Sequence, residues 1–364
     1  MRILFTAGGT GGHIYPALAV AEEILDLQPD TQVLFISGSR EMERKIITDA
    51  GYEVESIPVR GMPRKLSGSI VPFIWRLGCA VLRSRRIIRG FRPSVVLGTG
   101  GYVSGPPVFA AWSMGIPVFL QEQNSFPGVT TKHMSRFAEV VFLGFQDAVA
   151  YFGSKVCTKV TGNPVRKNIR PGDRETAAKR FGLAPDMKTV LVFGGSQGAH
   201  AINEAVAGIV EDLAKLPLQV IWQTGTMEFD QWRRFDGAAR GKVRVLSYID
   251  AMGDAYTASD LAVSRAGAMT IAEVTACGLP SVLIPLPTAA ENHQEHNARS
   301  LADAGAAVMI RERDLTPEAL KREITDIMTV KDRLSEMAEH ARSFGRYDAA
   351  HTIAEVIIGY FGEN

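Results

Sequence analysis

A chain of 364 residues, 46% hydrophobic and 22% charged, is too long for one compact core and too apolar for disorder, so two globular domains are expected. Its formal charge of +1 hides an asymmetry: 17 Lys/Arg face 12 Asp/Glu up to Gly162, and 23 face 27 beyond it. Cys79, Cys157 and Cys277 are widely spaced and form no Cys-x-x-Cys, which argues against a disulfide framework or a zinc site and fits a reducing compartment.

From the N-terminus, a first apolar strand at 3–6 runs straight into glycines and lacks the long apolar core of a signal peptide. Further β-branched runs at 33–36, 95–97, 118–120 and 140–143 read as buried parallel strands, with helical stretches such as 16–27 and 41–50 between them. The uncharged stretch 95–120 is long enough to span a bilayer, but five glycines and three prolines interrupt it. It reads as strand, glycine loop, helix and strand, and no transmembrane segment is expected. Near 161–165 the pattern breaks at Gly162 and Pro164 and then restarts. Strand 189–193, loop Gly194-Gly-Ser-Gln-Gly198 and helix 199–213 repeat the opening strand, loop Gly8-Gly-Thr-Gly-Gly12 and helix 15–27. Strands at 220–223, 243–246, 261–263, 282–284 and 307–310 complete a second sheet. The expected fold class is α/β, with two Rossmann-like domains carrying parallel sheets, 1–162 and 163–345. The C-terminal helix, about 346–364, is expected back on the first.

Glycines between a strand and a helix let backbone amides approach an anion, and the helix dipole favours negative charge there. Gly8–Gly12 is neither a Walker A loop nor a dinucleotide fingerprint, because no Gly-Lys-Ser/Thr follows, Ile14 takes the third glycine's place and Ser37-Gly-Ser39 lacks the ribose acid. Together with loops at 98–105 and 194–198 it points to one phosphate-bearing ligand held by both domains. In Ser264-Arg-Ala-Gly-Ala-Met-Thr-Ile-Ala-Glu273, Gly267 opens a helix. Glu273, about two turns in, can accept from a ribose diol, and Arg265 can meet a phosphate.

Gly-Gly-Thr-Gly-Gly-His at 8–13, Gly-Gly-Tyr-Val-Ser-Gly-Pro at 100–106, Glu-Gln-Asn at 122–124, Gly-Asn-Pro-Val-Arg at 162–166 and Gly-Gly-Ser-Gln-Gly at 194–198 occur in order, followed by the Glu273 segment and Gln294-x-x-Asn297. This set, spread over essentially the whole chain, resembles the MurG family of peptidoglycan N-acetylglucosaminyltransferases. The resemblance implies the two-domain GT-B fold and transfer of N-acetylglucosamine from UDP-N-acetylglucosamine to undecaprenyl-diphosphate-N-acetylmuramyl-pentapeptide, with inversion and direct displacement. It puts uracil against the backbone of Ile249 and near Arg166, ribose on Glu273, and diphosphate on Ser196 and Arg265. Thr10, Gly11, Gly12, Asn124, Gln294 and Asn297 would line the donor sugar and phosphate. Many relatives carry a Gln pair where this chain has His293-Gln294, so sugar recognition is placed on Gln294. The alternative is a UDP-N-acetylglucosamine 2-epimerase, which shares the two-domain plan and the donor.

No Asp-x-Asp occurs, so neither metal nor cofactor is expected, and amides, helix dipoles and Arg265 would stabilise the leaving group. His13, at a helix start that favours neutral imidazole, is the candidate general base, with Glu122 in reserve. Between Glu55 and Glu122 there are nine basic and no acidic residues. Arg64, Lys65, Arg83, Arg85, Arg86 and Arg89, interleaved with Ile74 and Trp75, suit an anionic membrane surface rather than nucleic acid. The expected location is peripheral, on the cytoplasmic face of the inner membrane, where a polyprenyl-linked acceptor would be met.

Overall fold

The computed structural model describes residues 1–59, 70–170, 172–213 and 215–361, and gives the backbone alone for 70–73. The chain divides into two compact units, Met1–Arg166 with Arg346–Asn364, and Lys167–Gly345.

The first unit is a seven-stranded sheet, every pair parallel, in the order β3-β2-β1-β4-β5-β6-β7. Its strands are β1 (Arg2–Thr6), β2 (Gln32–Ser37), β3 (Glu53–Ser56), β4 (Val95–Gly98), β5 (Val118–Glu122), β6 (Val140–Leu143) and β7 (Thr158–Val160). The central strands are buried on both faces, which is why they read as unbroken apolar runs. Edge strands β3 and β7 are partly exposed and polar, and no apolar run announces them. Segment 163–166, assigned by sequence to the second domain, sits in the first unit. There Asn163 is buried and bonded to Gln121, and the Arg166 guanidinium lies 4.6 Å from the Tyr15 ring centre. Helix Ala349–Gly359 packs on helix Gly11–Leu27, and its Ala350, Ile353, Ala354 and Ile357 join the core cluster that holds Ile14, Ala17, Ala21 and Ile24.

The second unit is a six-stranded parallel sheet in the order β10-β9-β8-β11-β12-β13. The strands are β8 (Lys188–Phe193), β9 (Leu218–Gln223), β10 (Val243–Leu246), β11 (Leu261–Ser264), β12 (Ser281–Leu283) and β13 (Ala307–Met309). Trp222, fully buried, anchors one side of this core beside Trp232 and Phe235.

In both sheets the winding reverses beside the first strand: β4 lies on the far side of β1 from β2, and β11 on the far side of β8 from β9. Ligands of open α/β sheets bind at the carboxyl ends of strands at such a reversal. The turns there are 7–10 after β1, 99–100 after β4, 194–199 after β8 and 265–267 after β11. The stretch 95–120 is strand, helix Gly101–Trp112 and strand, and among the described residues no helix is long and apolar enough to cross a membrane.

Candidate functional site

In the first unit, the loop after β1 rests on a carboxylate that the motif does not advertise. Glu43, fully buried in helix Glu41–Asp49, accepts the Gly9 amide at 3.0 Å, the Gly38 amide at 3.0 Å and the Ser37 hydroxyl at 3.1 Å. Arg40 covers the other side by donating to the Gly9 carbonyl at 3.1 Å. One glycine amide expected to meet an anion is therefore already used by a side chain of the protein itself. Thr10, Gly11 and Gly12, at the start of helix Gly11–Leu27, keep the exposed rim of the turn.

The second glycine turn packs against the first. Gly101 has φ +74°, and a methyl group there would run into the Gly8 carbonyl; at Gly100, φ +88°, one would press on the His13 ring. His13 is half-buried, with Nδ1 2.9 Å from Gln123 Oε1, and its carbonyl accepts the Thr99 hydroxyl at 2.7 Å. Glu122 is buried, and both of its oxygens serve the following turn: Oε1 accepts the Asn124 amide at 3.1 Å and Oε2 the Gly128 amide at 3.1 Å. Asn124 Nδ2 also donates to Glu122.

In the second unit, Phe193, Gly194, Gly195, Arg265, Thr270 and Gln294 are among the walls of a cavity of about 280 Å³. Ser196 stands exposed at the tip of the turn after β8. Helix Ala268–Ala276 starts from Gly267 at the same cavity, and its first-turn amides have no partner within the helix. Arg265, 14% exposed, is steadied by the carbonyls of Ile284 and Pro285 and by a 2.5 Å ion pair with Glu312. Gln294 Oε1 accepts the amides of Ala266 and Leu286, which leaves its Nε2 as the donor end of the amide. Asn297 is fully buried and donates to the Ala266 carbonyl, which holds the turn after β11. Glu273 lies in the same helix, partly exposed, with Oε2 held by the buried Tyr256 hydroxyl at 2.9 Å. Burial, and then the Glu273 charge, push the Cys277 thiol up to about 12, so it stays protonated and inert.

Ile249 is buried, and its amide is taken by Gln223 Oε1 at 3.0 Å while Gln223 Nε2 donates to the Gly195 carbonyl at 2.9 Å. Gln223 thus ties the turn after β8 to the segment after β10. Arg166 lies on Tyr15 in the first unit, whereas Ile249 belongs to the second. His293 is occupied with the Ala290 carbonyl at 2.6 Å. A larger hollow of about 410 Å³, lined among others by Asn292, Glu295 and Arg311, has its charges matched internally, with Glu295 Oε1 accepting from Arg311 and Arg299.

Motif and spacing assigned no role to Gln123, Gln223, Tyr256 or Glu43. Gln123 and Gln223 carried one signal, a polar side chain at the carboxyl end of a buried strand.

On the membrane-candidate segment, helix Ile70–Phe91 turns Ala80, Ser84 and Ile88 inward. Ile74, Trp75 and Leu82 are exposed at 61%, 74% and 69%, alongside exposed Arg86 and Arg89. Arg83 is tied to Glu55 and the Ser56 carbonyl, and Arg85 to Ser113. Arg64 and Lys65 lie outside the described residues.

Comparison with known proteins agrees along the chain. Residues 3–143 match the glycosyltransferase family 28 N-terminal domain, and 189–353 its C-terminal domain. The UDP-N-acetylglucosamine–N-acetylmuramyl-(pentapeptide) pyrophosphoryl-undecaprenol N-acetylglucosamine transferase of Acetivibrio thermocellus is 42% identical over 359 residues, covering 98% of this chain and 97% of its own. The enzyme of the same name from Salinibacter ruber is 40% identical, covering 98% and 96%. The crystal structure of Acinetobacter baumannii MurG superposes with a TM-score of 0.80 at 31% identity, over 98% and 99% of the two chains. A UDP-N-acetylglucosamine 2-epimerase superposes with a TM-score of 0.69 at 14% identity, over 100% and 97%, which is a likeness of fold alone. With both domain patterns matched and relatives alike over nearly its whole length, this chain belongs to glycosyltransferase family 28, among its MurG-type members.

Proposed function

We propose that this protein transfers N-acetylglucosamine from UDP-N-acetylglucosamine to N-acetylmuramyl-pentapeptide pyrophosphoryl-undecaprenol and releases UDP. The observation that carries it is the 42% identity, over 98% of the chain, to a relative named for that reaction. The cavity of the second unit fits the donor's part. Glu273, pre-oriented by Tyr256, suits a ribose diol, and the turn Gly194–Gly198, the Gly267 helix start and Arg265 suit a diphosphate. In the reaction, the acceptor hydroxyl oxygen bonds to the anomeric carbon as the bond from that carbon to the phosphate oxygen breaks. The hydroxyl proton passes to His13, and the pair of electrons leaves with UDP. Donors already aimed at the diphosphate lower the barrier because they need no reorganisation as charge develops. His13 fits the base role better than Glu122, whose oxygens are occupied by the 124–128 turn.

Labelled UDP-N-acetylglucosamine with a short-chain analogue of the lipid acceptor is expected to give labelled disaccharide-lipid. Formation of the 2-epimer from donor alone, with no transfer, would favour the isomerase. Glu273→Ala is expected to weaken UDP binding by about 10- to 150-fold, from loss of charged hydrogen bonds worth about 1.5–3 kcal/mol. Calorimetry with UDP and 2′-deoxy-UDP checks it: the native protein should discriminate between the two, and the variant should not.

The first unit is proposed to dock peripherally on an anionic leaflet at the cytoplasmic face. Support comes from Ile74, Trp75 and Leu82 exposed beside Arg86 and Arg89. At about 1 kcal/mol per basic residue near the surface, reversing both arginines to Glu should weaken vesicle binding at least 30-fold. Co-sedimentation that ignored both this change and anionic lipid content would remove the surface from this role.

A further inference from the structure

The hydrogen bonds behind His13 determine which of its ring nitrogens carries the proton. Asn163 Nδ2 lies 2.9 Å from the Gln123 carbonyl, which can only accept, so Asn163 turns Oδ1 toward Gln121 Nε2, also at 2.9 Å. Gln121 therefore presents Oε1 to Gln123 Nε2, and the same Nε2 donates to the Thr99 carbonyl at 2.7 Å. Two main-chain carbonyls, one at each end of this run of amides, thus demand the same orientation. Gln123 must face His13 Nδ1 with its oxygen, at 2.9 Å. The three amides are at most 4% exposed, so water offers no substitute partner for a flipped one. Reversing Gln123 would set its oxygen against the Thr99 carbonyl and its NH₂ against Nδ1, giving up the main-chain bond.

We propose that Gln123, locked by Gln121 and Asn163, is a positioning residue that holds His13 as the Nδ1–H tautomer and leaves Nε2 as the bare, proton-accepting nitrogen. The proposal rests on the reading of His13 as base. Among the described residues Nε2 has no hydrogen-bond partner, as a nitrogen kept for substrate requires. When the acceptor hydroxyl gives its proton to Nε2, the Nδ1–H bond to Gln123 persists through the step and no partner has to turn. Because an amide is neutral, it orients the ring without adding the pull of a carboxylate on a second proton. The Gly-Asn-Pro turn at 162–164 and the Glu-Gln-Asn run at 122–124 acquire a shared purpose, since one supplies Asn163 and the other Gln123.

The test is the ¹⁵N spectrum of histidine-labelled full-length protein near pH 8, with the His13 signals identified by their absence in His13→Gln. Expected are a protonated Nδ1 and an unprotonated, pyridine-type Nε2; a protonated Nε2 in the native protein overturns the proposal. Gln123→Glu, which puts a carboxylate in place of the amide, should move the acid limb of the kcat/KM profile to higher pH with the donor KM unchanged. Gln123→Met should lower kcat about tenfold or more, a share of the general-base factor, and shift population to the Nε2–H tautomer. A limb and a tautomer that stay in place in both variants would reduce Gln123 to a packing residue. The spectrum is read without substrate, so the two ideas fail separately. Full turnover in His13→Ala would remove the base, whereas a wrong tautomer with inactive His13→Ala would remove only the role of Gln123.

Discussion

Replacing His13 with alanine is expected to lower kcat about 10²- to 10⁴-fold, the usual range for a lost general base, while donor affinity stays as it was. The separation of effects follows from where the groups lie. His13 belongs to the first unit, whereas Ser196 and Arg265, proposed for the diphosphate, and Glu273, proposed for the ribose, belong to the second. Single-turnover transfer with labelled donor reads the first quantity, and calorimetry with UDP reads the second. Loss of UDP binding would show a role in donor geometry, and near-full turnover would pass the base to another group. Glu122 would be a poor heir, because drawing a proton to it means surrendering bonds to the amides of Asn124 or Gly128.

Glu43→Ala is the second large effect, and it concerns stability before rate. Removing the carboxylate strands the Gly9 and Gly38 amides and the Ser37 hydroxyl in a site that is fully buried. A buried donor left without a partner costs about 1–3 kcal/mol, so two amides alone cost about 2–6 kcal/mol. Peptides covering β1, the loop after it and β2 are expected to lose hydrogen-exchange protection in this variant. Those from 167–345 are expected to keep theirs. Unchanged protection around Gly9 would mean that the loop does not depend on Glu43.

The central strands were legible because burial on both faces demands unbroken apolar runs, as in Val95–Gly98 and Lys188–Phe193. Strand Glu53–Ser56 escaped notice because an edge strand with alternate side chains exposed carries no such run. The helix expected over 199–213 is split, His200–Ala207 from Val210–Leu213, where Gly208 ends the first piece. The glycine loops were visible as loops, but what occupies their amides was not. Glu43 lies 34 positions from Gly9, and nothing local to either residue shows that they meet. The Glu-Gln-Asn run drew attention to its outer members, while its middle residue is the one bonded to His13. Asn297 fits the same lesson, since a motif records that a residue is needed and not whether it faces a ligand or the turn behind it.

The first unit is assembled from both ends of the chain, and this dictates the order in which the protein can mature. During synthesis, helix Gly11–Leu27 leaves the ribosome well before its partner helix Ala349–Gly359, which is made only after the whole of 167–345. The unit holding Lys167–Gly345 is continuous and can close as soon as it emerges. The half translated first therefore finishes second, and a nascent chain halted before residue 349 presents an apolar stripe that chaperones would recognise.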